Sequence, residues 1–78
     1  MKHVLLKWHD AASMDDSGWH SPEFVAKHLT LGICQTSGWI LHEDEYSIIM
    51  VTSLSDDGHL VSGETVIPRG CIIARDEL

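Results

Sequence analysis

Six histidines, two cysteines, three tryptophans and the carboxylates of Glu43-Asp44-Glu45 are the side chains in this 78-residue sequence with chemistry to offer. Metal binding is the first use to test. His3 and His9 share a strand face but stand about 20 Å apart in an extended chain, too far to hold one ion. His42-Glu43 opens like the His-Glu-x-x-His motif of zinc hydrolases, yet no histidine follows four residues after His42, and the pair adjoins a hairpin instead of lying on a helix. No Cys/His pair has zinc-finger spacing. The expectation is no metal and no cofactor, with solvated or hydrogen-bonded histidines that respond to pH. Glu43-Asp44-Glu45 falls at a hairpin tip, a solvated setting that does not suit general acid–base work. The sequence contains no Gly-x-Ser-x-Gly elbow, no Walker loop and no dinucleotide fingerprint. No catalytic residue is assigned, and the chain reads as a non-enzyme.

Recognition chemistry is better represented. Trp8, Trp19 and Trp39 make up most of the aromatic side chains. Trp8 points the same way as Val4 and Leu6 and is expected in the core. Trp19 lies in an irregular stretch, where it either pins that loop to the body or offers an aromatic surface to a partner. Trp39 follows Gly38, at a bend where backbone can approach a ligand or neighbour. Tryptophan suits both stacking on a base and filling a partner's pocket. Arg69, between Pro68 and Gly70, is the cation on a rigid turn and the candidate contact for an anion. Trp19, Trp39 and Arg69 are therefore the candidate ligand-binding residues, with N–H groups near Gly38 and Gly70 as further donors. Cys34 and Cys71 sit in apolar surroundings and form no Cys-x-x-Cys motif, so buried, reduced thiols are expected.

Charge narrows the partners. Twelve acids against five Lys and Arg give a net charge of −7, and no Lys or Arg occurs between Lys27 and Arg69. Binding to a long nucleic acid depends on clustered cations that release counterions, and this chain has no such cluster. An anionic membrane surface is disfavoured for the same reason. A small anion held by one arginine and backbone N–H groups remains compatible, as does a host protein. The apolar stretch in Met1-Lys2-His3-Val4-Leu5-Leu6-Lys7 is three residues, short of the roughly 7–15 of a secretory leader. A mature cytoplasmic chain is the expectation. The Arg75-Asp76-Glu77-Leu78 end resembles a retention signal that has no meaning without such a leader.

The elements that must position these residues are mostly strands within a single domain, 1–78. Alternation predicts a first strand over 2–9, with Val4, Leu6 and Trp8 on one face. A loop and short helix fill 10–31, with a turn signal at Ser17-Gly18. Ser21-Pro22-Glu23 supplies a capping hydroxyl, a proline at the first helical position and an acid at the positive end of the dipole, so a helix runs from Pro22 to about Leu29. Strands follow over 33–42, 46–54, 60–67 and 71–75, separated by Glu43-Asp44-Glu45, the Asp57-Gly58 turn and the Pro68-Arg69-Gly70 break.

Five short strands, the Ile67-Pro68-Arg69-Gly70 break and a final Ile72-Ile73 strand resemble an SH3-like or Sm-like barrel, in which one helical turn commonly separates the last two strands. The expected fold class is mainly β, a small five-stranded barrel with one short helix inserted after the first strand. Trp8-His9-Asp10-Ala11, Ser17-Gly18-Trp19, Ser37-Gly38-Trp39-Ile40-Leu41 and Ile67-Pro68-Arg69-Gly70 together resemble small uncharacterised proteins of tailed phages and prophages. That resemblance implies a setting in the cytoplasm of a bacterial host and an accessory role, including anti-defence. It implies no catalytic residues.

Ile48-Ile49-Met50-Val51 is apolar on both strand faces, and Cys71-Ile72-Ile73-Ala74 nearly so. One face fills the core and the other needs cover, so a homo-oligomer is expected through Ile49, Val51 and Ile72, with Met50 outward instead if the register is reversed. The functional reading is a non-enzymatic phage accessory protein that sequesters a small nucleotide-type signal or inhibits a host protein. The alternative is a minor structural or assembly component of a phage particle.

Overall fold

The alternation around Leu6 produces the first strand and, through it, the centre of the molecule. A computed structural model describes residues 1–14 and 18–78. β1 spans His3–Asp10, with Val4 and Leu6 fully buried and Trp8 packed against the same core. The Ser17-Gly18 turn expected from the sequence begins outside the described residues.

The helix α1 covers Pro22–His28 and is built as its sequence dictates. Ser21 Oγ accepts from the Phe24 N–H at 3.2 Å, Pro22 opens the first turn, and Lys27 and His28 sit at the negative end of the dipole. Leu29 caps the end, its N–H donating to the Val25 carbonyl at 2.9 Å. No residue of α1 is buried.

The strands after the helix are β2 (Gly32–Glu43), β3 (Ser47–Val51), β4 (Ser53–Leu54), β5 (Val61–Ser62), β6 (Thr65–Pro68) and β7 (Ile72–Glu77). A single 3-10 turn at Arg69–Cys71 joins the last two. Two expected strands are each broken in two. The stretch 46–54 bends at Thr52, and 60–67 breaks at Gly63, whose φ of 72° lies in the left-handed region. A Cβ at Gly63 would also run into Thr52 Oγ1, so the position accepts only glycine.

One five-stranded antiparallel sheet, ordered β6-β3-β2-β1-β7, and a separate β4–β5 hairpin make up the architecture. Val4, Leu6, Ile40, Ile48, Met50 and Ile67 form the core, flanked by Trp8 and Ile72. The sheet is curled. Leu6 pairs with Thr36 on one side and Arg75 on the other, and Glu43 lies seven residues beyond Thr36. A straight strand would carry Glu43 about 20 Å past that level. Arg75 nevertheless donates to Glu43 at 2.9 Å, so β2 turns back over the sheet. The turn starts at a bulge around Leu41, where pairing shifts between Ile40↔Met50 and His42↔Ile49.

In place of the expected closed barrel stands this open, curled five-stranded sheet. Among the described residues, β6 and β7 do not hydrogen-bond to each other. The physical reason lies in the junction, because β6 has four residues, Pro68 brings no N–H, and the 3-10 turn follows at once.

Gly38 was expected at a bend and instead sits inside β2, paired with Val4. A Cβ there would lie 2.5 Å from the Val51 carbonyl oxygen, so β2 and β3 approach across a position with no side chain.

The molecule is elongated, with extents of 54 × 23 × 20 Å and a radius of gyration of 16.4 Å. A compact chain of this length would have a radius near 11–12 Å. The excursion between β1 and β2 contains α1, which packs on no strand to any substantial extent.

Candidate functional site

The three residues expected to hold a ligand stand apart, each in its own setting. Trp19 precedes the Ser21 cap and is fully exposed, so its ring does not pin that segment to the sheet. Trp39 lies opposite His3 across the β1–β2 ladder, and the two rings stack with centroids 4.7 Å apart. It occupies the face of β2 opposite Ile40 and the core. Arg69 opens the 3-10 turn, with its N–H donating to the Tyr46 carbonyl at 2.9 Å. Its guanidinium faces Glu43 at 3.4 Å.

Glu43 serves two arginines. Arg75 Nη1 reaches its Oε2 at 2.9 Å, and Arg75 Nε also pairs with Glu77 at 3.0 Å. Two arginines and two carboxylates thus balance, and the cluster has no surplus positive charge for an anion. Its purpose is structural, tying the far end of β2 to the 3-10 turn and to β7. The Arg75 guanidinium, with Arg69 beside it, holds the Glu43 carboxyl below the ordinary carboxylate range. The sign follows directly. A depressed carboxyl contributes stability above its unfolded value of 4.5 and loses it as pH falls through the lower folded value. Urea midpoints of wild type and Glu43→Gln should therefore differ at neutral pH and converge as the solution is acidified towards pH 3. Partial exposure makes this difference shrink in high salt.

The hairpin acids behave as a solvated turn. Asp44 Oδ1 accepts from the N–H groups of Tyr46 and Ser47 at 2.8 and 2.9 Å, which lowers its carboxyl below the usual range. His42 lies 3.7 Å from the other oxygen of Asp44. Among the described residues no group of three or more His, Cys, Asp or Glu is placed to hold a metal ion.

Two expectations about exposed side chains are corrected. Val51 is fully buried within the chain and offers no surface to a neighbour. It keeps its alternation, on the face of its ladder partner Trp39 and outside the core cluster, next to the bend at Thr52, whose N–H donates to the Ser62 carbonyl. Ile72 packs against the core and Ile73 is the exposed residue of that pair, because β7 bulges there: Lys7 pairs with Ala74 and Trp8 with Ile72, which skips Ile73. Ile49 is half-buried, opposite the core face, and pairs with exposed Val66. The thiols of Cys34 and Cys71 are free as expected but half-buried, since both lie near strand ends.

Sequence reading missed the largest surface feature, the arm over residues 18–33. Trp19, Phe24, Leu31 and Ile33 are all exposed there. Phe24 stacks on His28 with centroids 4.2 Å apart, and His28 Nδ1 donates to the Phe24 carbonyl at 2.9 Å. The available signal was the density of apolar residues in a segment with no strand pattern. A groove of about 380 Å³ is a second feature, lined by Ser53, Leu54, Ser55, Leu60, Val61 and Ser62 on the β4–β5 hairpin. Its tip is the Asp56-Asp57-Gly58 turn, with φ of 78° at Gly58.

No protein-family model, curated protein or solved structure matches this chain.

Proposed function

We propose that this chain is a non-enzymatic accessory binding protein of a phage that inhibits a host protein by occupying its surface. The complete exposure of Trp19 carries the reading. Tryptophan buries a large apolar area on contact and is enriched among residues that dominate interface energetics. The dispersal of Trp19, Trp39 and Arg69, with Arg69 balanced by Glu43, favours this over enclosure of a small nucleotide-type anion in one chain. The order β6-β3-β2-β1-β7, with a single 3-10 turn before the last strand, supports taking the curled sheet as an SH3-like or Sm-like small barrel. Such a scaffold hosts many functions, so the argument rests on the surface and not on the fold. The bacterial cytoplasm is the setting this reading implies.

Native mass spectrometry of the tagged protein, purified from a bacterial host, is the test. The expected result is one host protein retained at fixed stoichiometry. Trp19→Ala should weaken that complex about thirty-fold, the loss typical of an interface anchor. Retention of a nucleotide-sized molecule with no host protein would sink the proposal and favour sequestration.

A further inference from the structure

Two surfaces of this chain lack cover, and their chemistry is complementary. The first is the arm. α1 has seven residues and buries none of them. Isolated helices shorter than about 12–15 residues are marginal in water, so α1 needs a surface to pack on. Phe24, stacked between His20 and His28, is the exposed large apolar side chain of α1, and Leu31 after the helix and Ile33 at the start of β2 are exposed beside it in sequence. The second is the β4–β5 groove, where Leu54 and Leu60 are exposed and Val61 is half-buried. Two-stranded hairpins are themselves marginal without a third layer. Within one chain α1 does not pack on this hairpin to any substantial extent.

Charge selects how two copies can meet. Glu23 and Lys27 cancel within the arm, so the whole net charge of −7 resides in the rest of the chain. Two bodies meeting face to face would set acid against acid. The arm brings Lys27, and next to it His28, towards a hairpin whose tip carries Asp56 and Asp57 with His59 beside them. An arm-to-groove contact therefore joins apolar surface to apolar surface and cation to carboxylate. Every copy carries both halves of this contact, so a pair of chains can make it twice around a two-fold axis.

We propose that the protein forms a reciprocal dimer in which α1 of one copy, led by Phe24, seats in the β4–β5 groove of the other. This goes beyond the host-protein reading and does not depend on it, because purified protein alone is sufficient for the test. Sedimentation equilibrium of the wild-type chain should show a concentration-dependent dimer. Each substitution occurs twice in the symmetric dimer, so Phe24→Glu and Leu60→Glu should each raise the dimer dissociation constant about hundred-fold or more, in line with loss of two buried apolar side chains. Both positions are exposed in the single chain, and circular dichroism should show both variants folded.

Mixing the two variants gives the decisive measurement. The intact arm of the Leu60→Glu chain meets the intact groove of the Phe24→Glu chain, so a heterodimer with one of the two contacts should form. A wild-type monomer at all accessible concentrations would overturn the proposal. So would dimers that persist in either variant, or a mixture that stays monomeric. Trp19→Ala should leave the dimer in place, which separates failure of this contact from failure of host-protein binding.

Discussion

Replacing Leu6 with alanine is expected to cost about 2–5 kcal/mol, the range for deleting a fully buried leucine. A domain this small has only about 4–12 kcal/mol in total, so the variant should be partly unfolded at 37 °C. The size of the loss follows from position. Leu6 is fully buried on β1, the one strand paired on one side with β2 and on the other with β7. Its side chain shares the core with Val4, Ile40, Ile48, Met50 and Ile67. Urea denaturation followed by tryptophan fluorescence would measure the change, and a shift in midpoint of the size seen for surface variants would contradict it.

Gly38→Ala is expected to be nearly as damaging, by the opposite route. The added methyl group would lie 2.5 Å from the Val51 carbonyl oxygen and 3.2 Å from its carbon, so backbone must move. Overpacking of this kind costs about 1–3 kcal/mol when side chains can adjust and more when they cannot. Here the obstacle is the chain itself at the end of β3. The Trp39↔Val51 pair next to it should open first. Amide exchange at residues 39–51 of the variant should accelerate more than exchange along β7. Equal protection in the variant and wild type would remove the steric account of this glycine.

Local patterns made much of this architecture legible. The two-residue period of Val4, Leu6 and Trp8 identified the core face of β1, and Ser21-Pro22-Glu23 identified the start of α1 to the residue. Pro68-Arg69-Gly70 announced the interruption before β7, because proline stops a ladder and glycine permits a turn. What escaped depends on residues distant in sequence. The curl of the sheet is visible only when Arg75 and Glu43 are seen to touch. The burial of Val51 and the inward face of Ile72 reflect a bend at Thr52 and a bulge in β7 that skips Ile73, and neither is visible to a strict period-two reading. The arm escaped for a different reason. Its helix is legible from the cap, but nothing in Pro22–His28 says whether the helix packs on the sheet.

The candidate site was less legible than the fold. Trp19, Trp39 and Arg69 were chosen for their chemistry, and side-chain type says nothing about convergence. Trp39 is engaged by His3 and Arg69 by Glu43, partners placed by strand register and by the curl of β2. Trp19 is fully exposed.

The pairing of β7 with β1 also shapes how this chain must be made. Val4↔Glu77 and the Leu78 N–H to His3 carbonyl bond join the two ends of the sequence, closing a loop that spans nearly the whole polypeptide. During synthesis β1 leaves the ribosome with one of its two neighbours not yet translated. Its edge and its valine and leucine stay open until Ile72–Glu77 emerges, a state that exposes a strand edge to other nascent chains. Contacts of such long sequence separation also place folding at the slow end, in the millisecond-to-second range. Completion of the sheet thus waits for β7, the strand that covers the open edge of β1.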